Sequence, residues 1–163
     1  MIIVSDTTPL HYLILIGEIE VLPALAHSII IPSAVLQELQ HERTPEPLKR
    51  WLATPPDWIE VRPANLSLFK PQKKIGPGET EAIALALEWG ATLLVDDSDA
   101  IKEAHRLQLS TLRLFTLLEI AAGKNLLDLA EAIEKMRRTS FHLPPAEIIE
   151  AMLERDRQRK QTN

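Results

Sequence analysis

The 163-residue sequence predicts an α/β fold, a three-layer arrangement in which helices cover both faces of a mostly parallel β-sheet. Short apolar runs rich in β-branched residues alternate along the chain with longer segments of helical periodicity. This alternation is typical of parallel strands joined by crossover helices. Hydrophobic residues make up 45% of the chain, so a chain of this length can bury the core of one domain.

The first half of the chain begins with a strand. Met1–Ser5 is a buried β-branched run, and Pro9 fits the first turn of a helix that Thr7 or Thr8 can cap. Ser28–Ile31 and Trp58–Val61 predict the second and third strands. The helical segments between them are predicted at Leu10–Ile16, Glu18–Ala26, Ser33–Glu42 and Pro45–Ala53.

The second half of the chain follows a polar loop, Pro63–Lys74. Gly76-Pro77-Gly78 then introduces a helix, Glu79–Trp89, which Gly90 ends. The later elements are predicted at Thr92–Val95 (strand), Ser98–Gln108 (helix), Ser110–Leu114 (strand) and in two or three final helices. We expect residues 1–125 to form the α/β domain and residues 126–163 to form a helical extension packed on it.

The composition excludes several classes of protein. The chain has no cysteine, which excludes disulfides and thiolate zinc sites. No apolar run approaches the ~20 residues that span a bilayer. The apolar opening stretch carries Asp6 and Pro9 and lacks a basic beginning, so it predicts a strand and a helix and not a signal peptide. We expect a cytoplasmic protein with no membrane partner.

Carboxylates follow two of the predicted strands. Asp6 comes directly after the first strand, and Asp96 and Asp97 come directly after the fourth. Ligands of open parallel sheets bind outside the carboxyl ends of the strands. If these strands are parallel, the carboxylates share one edge of the sheet.

Two glutamates in the helix after Gly78 differ in direction. At about 100° per helical residue, Glu79 lies on the same side as Ile83 and Leu87. Glu81 lies on the opposite side, which predicts that it faces solvent and leaves it a secondary candidate. A carboxylate directed inward needs a partner, because an unpaired buried charge is costly.

A third glutamate is ambiguous. In the helix after Ser33, Glu38 lies at the border of the apolar face, and Glu42 lies no farther from that face. Spacing therefore does not choose between them.

A cluster of carboxylates needs a cation. Two unit charges 4 Å apart repel by roughly 4 kcal/mol at an effective dielectric constant of 20. Mg²⁺ and Mn²⁺ prefer oxygen ligands and retain waters, so they suit a site built of carboxylates. Asp99 and the hydroxyl of Thr7 or Thr8 can hold waters around such an ion.

The runs VSDTTPL, IPSAVLQEL and GPGETEAIALALEWGATLLVDDSDA resemble the PIN-domain family. They are most similar to a branch of small prokaryotic proteins related to the toxin ribonucleases of type II toxin–antitoxin pairs. The resemblance covers roughly residues 1–125. It implies that the four acidic positions of the family are Asp6, Glu38, Glu79 and Asp97. Asp99 is then the frequent accessory position, and Asp96 an alternative to Asp97.

The resemblance also implies an activity. Such proteins are similar to Mg²⁺- or Mn²⁺-dependent ribonucleases that cut single-stranded RNA, often as homodimers, and leave 5′-phosphate and 3′-hydroxyl ends. A cognate antitoxin protein is an implied partner. The chain departs from the family pattern in having Glu79 where Asp is commoner, and in lacking glycines around the last strand.

Three lysines and two alternative functions are the remaining hypotheses from the sequence. Lys70, Lys73 and Lys74 lie in one loop and are weak candidates for RNA binding, because such charge runs are usually solvated surface. One alternative function is a PIN-like module that binds nucleic acid or protein without cleaving. Another is a phosphoacceptor protein of the receiver type, which would carry its Asp pair after the first strand and not the fourth.

Overall fold

Five parallel strands form one sheet in the computed structural model, which describes residues 1–162. The strands are β1 (Ile2–Ser5), β2 (Ser28–Pro32), β3 (Ile59–Arg62), β4 (Thr92–Leu94) and β5 (Thr111–Leu112). Their order across the sheet is β3-β2-β1-β4-β5, and every neighbouring pair is parallel. The predicted α/β fold is confirmed.

Nine α-helices surround this sheet in residues 1–162. They are α1 (Thr7–Leu15), α2 (Val21–Leu25), α3 (Ser33–Leu39), α4 (Glu46–Ala53), α5 (Pro77–Trp89), α6 (Ser98–Arg106), α7 (Leu114–Gly123), α8 (Leu129–Arg137) and α9 (Ala146–Thr162), with a 3₁₀ turn at Leu66–Leu68. None of these helices is long and apolar enough to cross a membrane.

The two faces of the sheet bury different helices. Ile3, Ile29 and Leu94 point to one side, where they pack with α1, α7, α8 and α9. Val4 and Leu93 point to the other side, where they pack with α5 and α6. This division follows from the period of two along a strand, which sends successive side chains to opposite faces.

The C-terminal extension contributes to the first of these cores. Its buried hydrophobic side chains are those of Leu129, Ala132, Ile133, Met136, Ile149 and Met152. They lie in the same hydrophobic cluster as the buried residues of α7, so α8 and α9 share a core with the α/β part.

Several predicted boundaries were wrong by a few residues. The helix predicted to reach Glu42 ends at Leu39, where the Thr44 hydroxyl donates a hydrogen bond of 2.8 Å to the Leu39 carbonyl. Neither Ser33 nor a threonine caps a helix, because Pro32 and Asp6 hold the N-cap positions of α3 and α1. The last strand is two residues long and not five.

Candidate functional site

The carboxyl ends of β1 and β4 lie side by side. The Asp6 amide donates a hydrogen bond of 3.0 Å to the Leu94 carbonyl, continuing the parallel ladder beyond Ser5. The chain moves outward in one direction from β1 to β3, then crosses to β4 on the other side of β1. This reversal is the point at which open parallel sheets bind ligands. Asp6, Asp96 and Asp97 therefore lie along the same edge of the sheet.

Asp6 is a buried carboxylate without a cationic partner. Its side chain is 2% exposed. Burial is the main cause that raises its pKa from 3.8 to about 7, and the nearby charges of Glu79 and Glu38 raise it further against the backbone amides of Thr7 and Thr8. No Lys, Arg or His within residues 1–162 forms an ion pair with it, and the charges that shift its pKa most are those of Glu79 and Glu38. The site around Asp6 therefore has an excess of negative charge.

Glu38 joins three helices at this site. Its Oε1 accepts a hydrogen bond of 3.1 Å from the Gly78 amide at the start of α5. Its Oε2 accepts one from the Thr7 hydroxyl in the first turn of α1. Glu42 lies beyond the end of α3. The structure thus brings Glu38, and not Glu42, to Asp6.

Glu79 lies in the first turn of α5, half-buried, on the side that faces Asp6. The helical angle predicted this direction. Proline at the first position of α5 and an acidic residue two positions later are both favoured at a helix N-terminus.

The prediction that Glu81 faces solvent was wrong. Its Oε2 accepts a hydrogen bond of 2.9 Å from the Ala34 amide, an otherwise unpartnered donor in the first turn of α3. Residues 82–86 are all buried, because the sheet covers one side of α5 and α3 packs on another. A helix covered on several sides has no single solvent face, and the angular argument assumed one.

Glu81 is therefore expected to stabilise the fold and not to act in chemistry. Replacing Glu81 with alanine should lower the free energy of unfolding by about 1 kcal/mol, the usual cost of losing a helix cap. Glu81→Gln should lose less, since its amide oxygen still accepts. The exposed Glu88 of the same helix supplies the control, because Glu88→Ala should change stability by less than about 0.5 kcal/mol in urea titrations. Equal effects of Glu81→Ala and Glu88→Ala would contradict the capping role.

Asp96 and Asp97 occupy different positions after β4. Asp96 is half-buried, and its Oδ2 accepts a hydrogen bond of 3.2 Å from the Leu114 amide at the start of α7. Burial raises its pKa to about 6, although the Leu114 amide and the Arg113 charge lower it. Asp97 caps α6, accepting from the Asp99 and Ala100 amides at 3.0 and 2.8 Å.

Both aspartates remain candidates for the fourth acidic position. Each lines the cleft that Glu79 also lines. The capping hydrogen bonds of Asp97 use only Oδ1, so Oδ2 has no partner within residues 1–162. Asp99 forms an ion pair of 3.2 Å with Lys102 on the surface of α6. Thr8 lines the same cleft.

The three candidate lysines lie apart from the carboxylates. Lys70, Lys73 and Lys74 are exposed in the loop before α5, and none of them lines the cleft. The buried Glu103 holds this loop on α6. Its carboxylate accepts a hydrogen bond of 3.1 Å from the Gln72 amide and one of 2.8 Å from the Arg106 guanidinium. The Arg106 hydrogen bond keeps the pKa of Glu103 below its usual range.

The cleft beside the carboxylates has a volume of about 730 Å³. Its acidic end is formed by Glu79, Asp96 and Asp97, and its other walls come from α7, α9 and the segment 141–145. Sequence reasoning missed the charged residues of these walls, which are Arg113, Glu119, His142 and Arg155. The predicted strand Ser110–Leu114 included Arg113, whereas the structure ends β5 at Leu112 and places Arg113 directly after it.

The carboxylate oxygens of this site fit a hard divalent cation better than any other group. Within residues 1–162, no group of three acidic or histidine side chains stands close enough together to hold a metal ion. Magnesium sites in proteins use one or two carboxylates and several waters, so a group of three is not required. The uncompensated charge around the buried Asp6 carboxylate is what such an ion would neutralise.

Comparisons with known proteins agree with this architecture. A family model described as a PIN domain matches residues 2–157. A PilT N-terminus domain protein from the hyperthermophilic archaeon Sulfolobus solfataricus P2 has a similar structure, with a TM-score of 0.51 and 18% sequence identity. The alignment covers 88% of this chain and 100% of that protein. At that identity the likeness concerns the fold alone. No curated protein matches the chain.

Proposed function

Because the chain belongs to the PIN-domain family, which is generally a family of nucleases that use divalent metals, we propose that it is a metal-dependent endoribonuclease. Its substrate is single-stranded RNA, and it hydrolyses phosphodiester bonds with Mg²⁺ or Mn²⁺. We further propose that it is the toxin of a type II toxin–antitoxin pair, with a cognate antitoxin and a second copy of the chain as its protein partners.

One observation carries the proposal: a buried carboxylate, Asp6, is surrounded by other carboxylates and by no cation within residues 1–162. An arrangement selected only for stability would neutralise that charge or place an apolar residue there. Perturbed carboxylates in a cleft at the strand ends are a signature of a functional site.

The residues divide the work by position. Asp6 and Glu79 would contact the ion directly, and Asp97 and Asp99 would reach it through waters. Glu38 is fixed by Thr7 and Gly78, so it can orient a water or keep the two helix ends in place. A bound divalent ion would supply polarisation of the phosphodiester and activation of the attacking water.

Gly78 lets Glu38 approach the start of α5. A β-carbon on Gly78 would lie 2.7 Å from Glu38 Oε1, so Gly78→Ala must displace that carboxylate. Because the clash is with the end of a flexible side chain, the variant should fold with nearly wild-type stability. Misplacement by about 1 Å can cost up to about 100-fold in rate, so we expect kcat/KM to fall by about 10–100-fold.

Gly123, in the last turn of α7, is the matched control. A β-carbon there would meet only the Arg159 guanidinium at 3.7 Å, an ordinary contact. Gly123→Ala should therefore leave cleavage unchanged. Wild-type rates in Gly78→Ala, with folding verified by circular dichroism, would exclude a role for the position of Glu38.

Cleavage of a fluorescent single-stranded RNA in Mn²⁺ tests the function itself. Wild type should cut, and EDTA should abolish cutting. Asp6→Asn should lose more than the roughly 10–100-fold that outer-shell substitutions cause at metal sites. Equal activity in wild type and Asp6→Asn would identify a contaminating nuclease and refute the enzymatic proposal. Growth arrest on expression of wild type, but not of Asp6→Asn, tests the toxin role.

A further inference from the structure

Arg113 lines the cleft beside the carboxylates and has no direct binding partner within residues 1–162. It precedes α7 and is exposed. Its guanidinium makes no hydrogen bond and no ion pair with any residue in the described range 1–162. Arg155, which lines the same cleft, donates two hydrogen bonds to Glu119, at 2.6 and 3.1 Å. The two arginines therefore differ in availability.

The Asp96 carboxylate attracts Arg113 without forming an ion pair with it. The N-terminus of a helix carries a partial positive charge, so a cation there is disfavoured. Asp96 offsets this, because its carboxylate accepts the Leu114 amide at 3.2 Å and so lies beside Arg113. A guanidinium that lines the cleft and forms no hydrogen bond or ion pair within residues 1–162 is available to an anion from outside the chain.

The rest of the cleft indicates which anion. Phe141 stacks on Phe115 with ring centroids 5.7 Å apart, and Tyr12 meets the Phe141 ring edge-on at 5.0 Å. This rigid aromatic wall lies along the same cleft as Arg113 and the acidic end. Guanidinium groups bind phosphates through paired hydrogen bonds, and aromatic side chains stack on bases. A nucleotide presents both features.

We propose that Arg113 binds the backbone phosphate of the RNA nucleotide next to the one being cut, with the base of that nucleotide against the aromatic wall. This inference rests on the proposed function, since it takes single-stranded RNA as the occupant. It makes the C-terminal segment around Phe141 part of the substrate channel.

Binding of a short fluorescein-labelled single-stranded RNA, followed by anisotropy over a series of salt concentrations, tests the inference. Ca²⁺ neutralises the carboxylates in this assay, and a gel verifies that the strand stays intact. One phosphate contact on a single strand contributes about 0.7 to the slope of log K against log salt. Arg113→Ala should reduce the slope by about that amount, whereas Arg113→Lys should restore it in part.

The control is Arg137, an exposed arginine of α8 that does not line the cleft. Arg137→Ala should keep the wild-type slope. In cleavage assays with Mn²⁺, Arg113→Ala should raise KM several-fold and leave kcat nearly unchanged. Its melting temperature should stay close to that of wild type, because substitutions of exposed residues without direct partners usually change stability by less than about 0.5 kcal/mol.

The outcomes separate this inference from the proposed function. If wild type cleaves RNA but Arg113→Ala keeps the wild-type slope and KM, the phosphate-binding role is refuted and the function stands. If RNA binding depends on Arg113 but neither wild type nor any variant cleaves, the enzymatic proposal fails and the phosphate-binding role of Arg113 stands. If wild type neither binds nor cleaves single-stranded RNA, both fail.

Discussion

Replacing Asp6 with asparagine should stabilise the metal-free protein while it abolishes cleavage. The pKa of Asp6 rises from 3.8 to about 7 on folding, so the ionised carboxylate destabilises the folded state at neutral pH. The rise corresponds to at most about 4 kcal/mol, and we expect Asp6→Asn to gain about 2–4 kcal/mol at pH 8. The amide of asparagine is uncharged and can donate to the neighbouring carboxylates. Urea titration in EDTA measures the gain.

The pH dependence of this gain has a definite sign. Between about pH 4 and pH 7, folded wild type keeps a proton on Asp6 that the unfolded chain has released. The free energy of unfolding of wild type therefore falls as the pH rises through this window. Asp96, whose pKa is also raised, acts in the same direction in both proteins and cancels in their difference. The advantage of Asp6→Asn should be small at pH 4 and complete above pH 7.

Asp57 supplies the control for this experiment. It is exposed in the loop before β3, and Asp57→Asn should change stability by less than about 0.5 kcal/mol at any pH. A metal-free Asp6→Asn protein that is less stable than wild type at pH 8 would show that the Asp6 carboxylate supports the fold. That result would remove the main argument for a functional role.

Divalent cations should reverse the order of stability. An ion bound only by the folded state adds about 2.7 kcal/mol at a concentration of 100 times its Kd. For a chain of this size, that corresponds to a rise of about 5–10 °C in the melting temperature of wild type in Mn²⁺ or Mg²⁺. The shift should be much smaller in Asp6→Asn, because one ligand and one charge are missing.

Calorimetry or dye-based melting in matched ionic strength measures this shift. Sodium chloride at the same ionic strength controls for general screening, and Asp57→Asn should shift as wild type does. If millimolar Mn²⁺ leaves the melting temperature of wild type unchanged, the carboxylates around Asp6 do not hold a divalent ion.

Much of the fold could be predicted because its signals are local. β-branched runs marked the strands, and Gly78 and Gly90 bracketed α5 within a few residues. One error fell at the end of α3, where the Thr44 hydroxyl, five residues further on, donates a hydrogen bond to the Leu39 carbonyl and the helix ends before Glu42. β5 was also predicted too long, since a strand at the edge of a sheet has a single partner to fix its length.

Predictions about the candidate site also differ according to whether they depend on local geometry or on distant contacts. The inward direction of Glu79 could be derived from helical angle, since it needs only the geometry of one helix. The partial burial of Glu81 could not be derived in this way, because it depends on α3 packing against α5, two helices that are distant in sequence. Asp96 and Asp97 stay unresolved, because both lie at the same strand end and line the same cleft.

The sequence by itself determined the α/β order of elements and the acidic residues at the strand ends, because periodicity and turn chemistry act over a few residues. Only the tertiary structure decided that β1 and β4 are neighbours, that Glu38 and not Glu42 reaches Asp6, and that Arg113 faces a cleft closed by the C-terminal segment. The physical reason is that these outcomes depend on how the sheet orders its strands and on which helices then meet. A local sequence pattern does not determine which contacts form across the sheet.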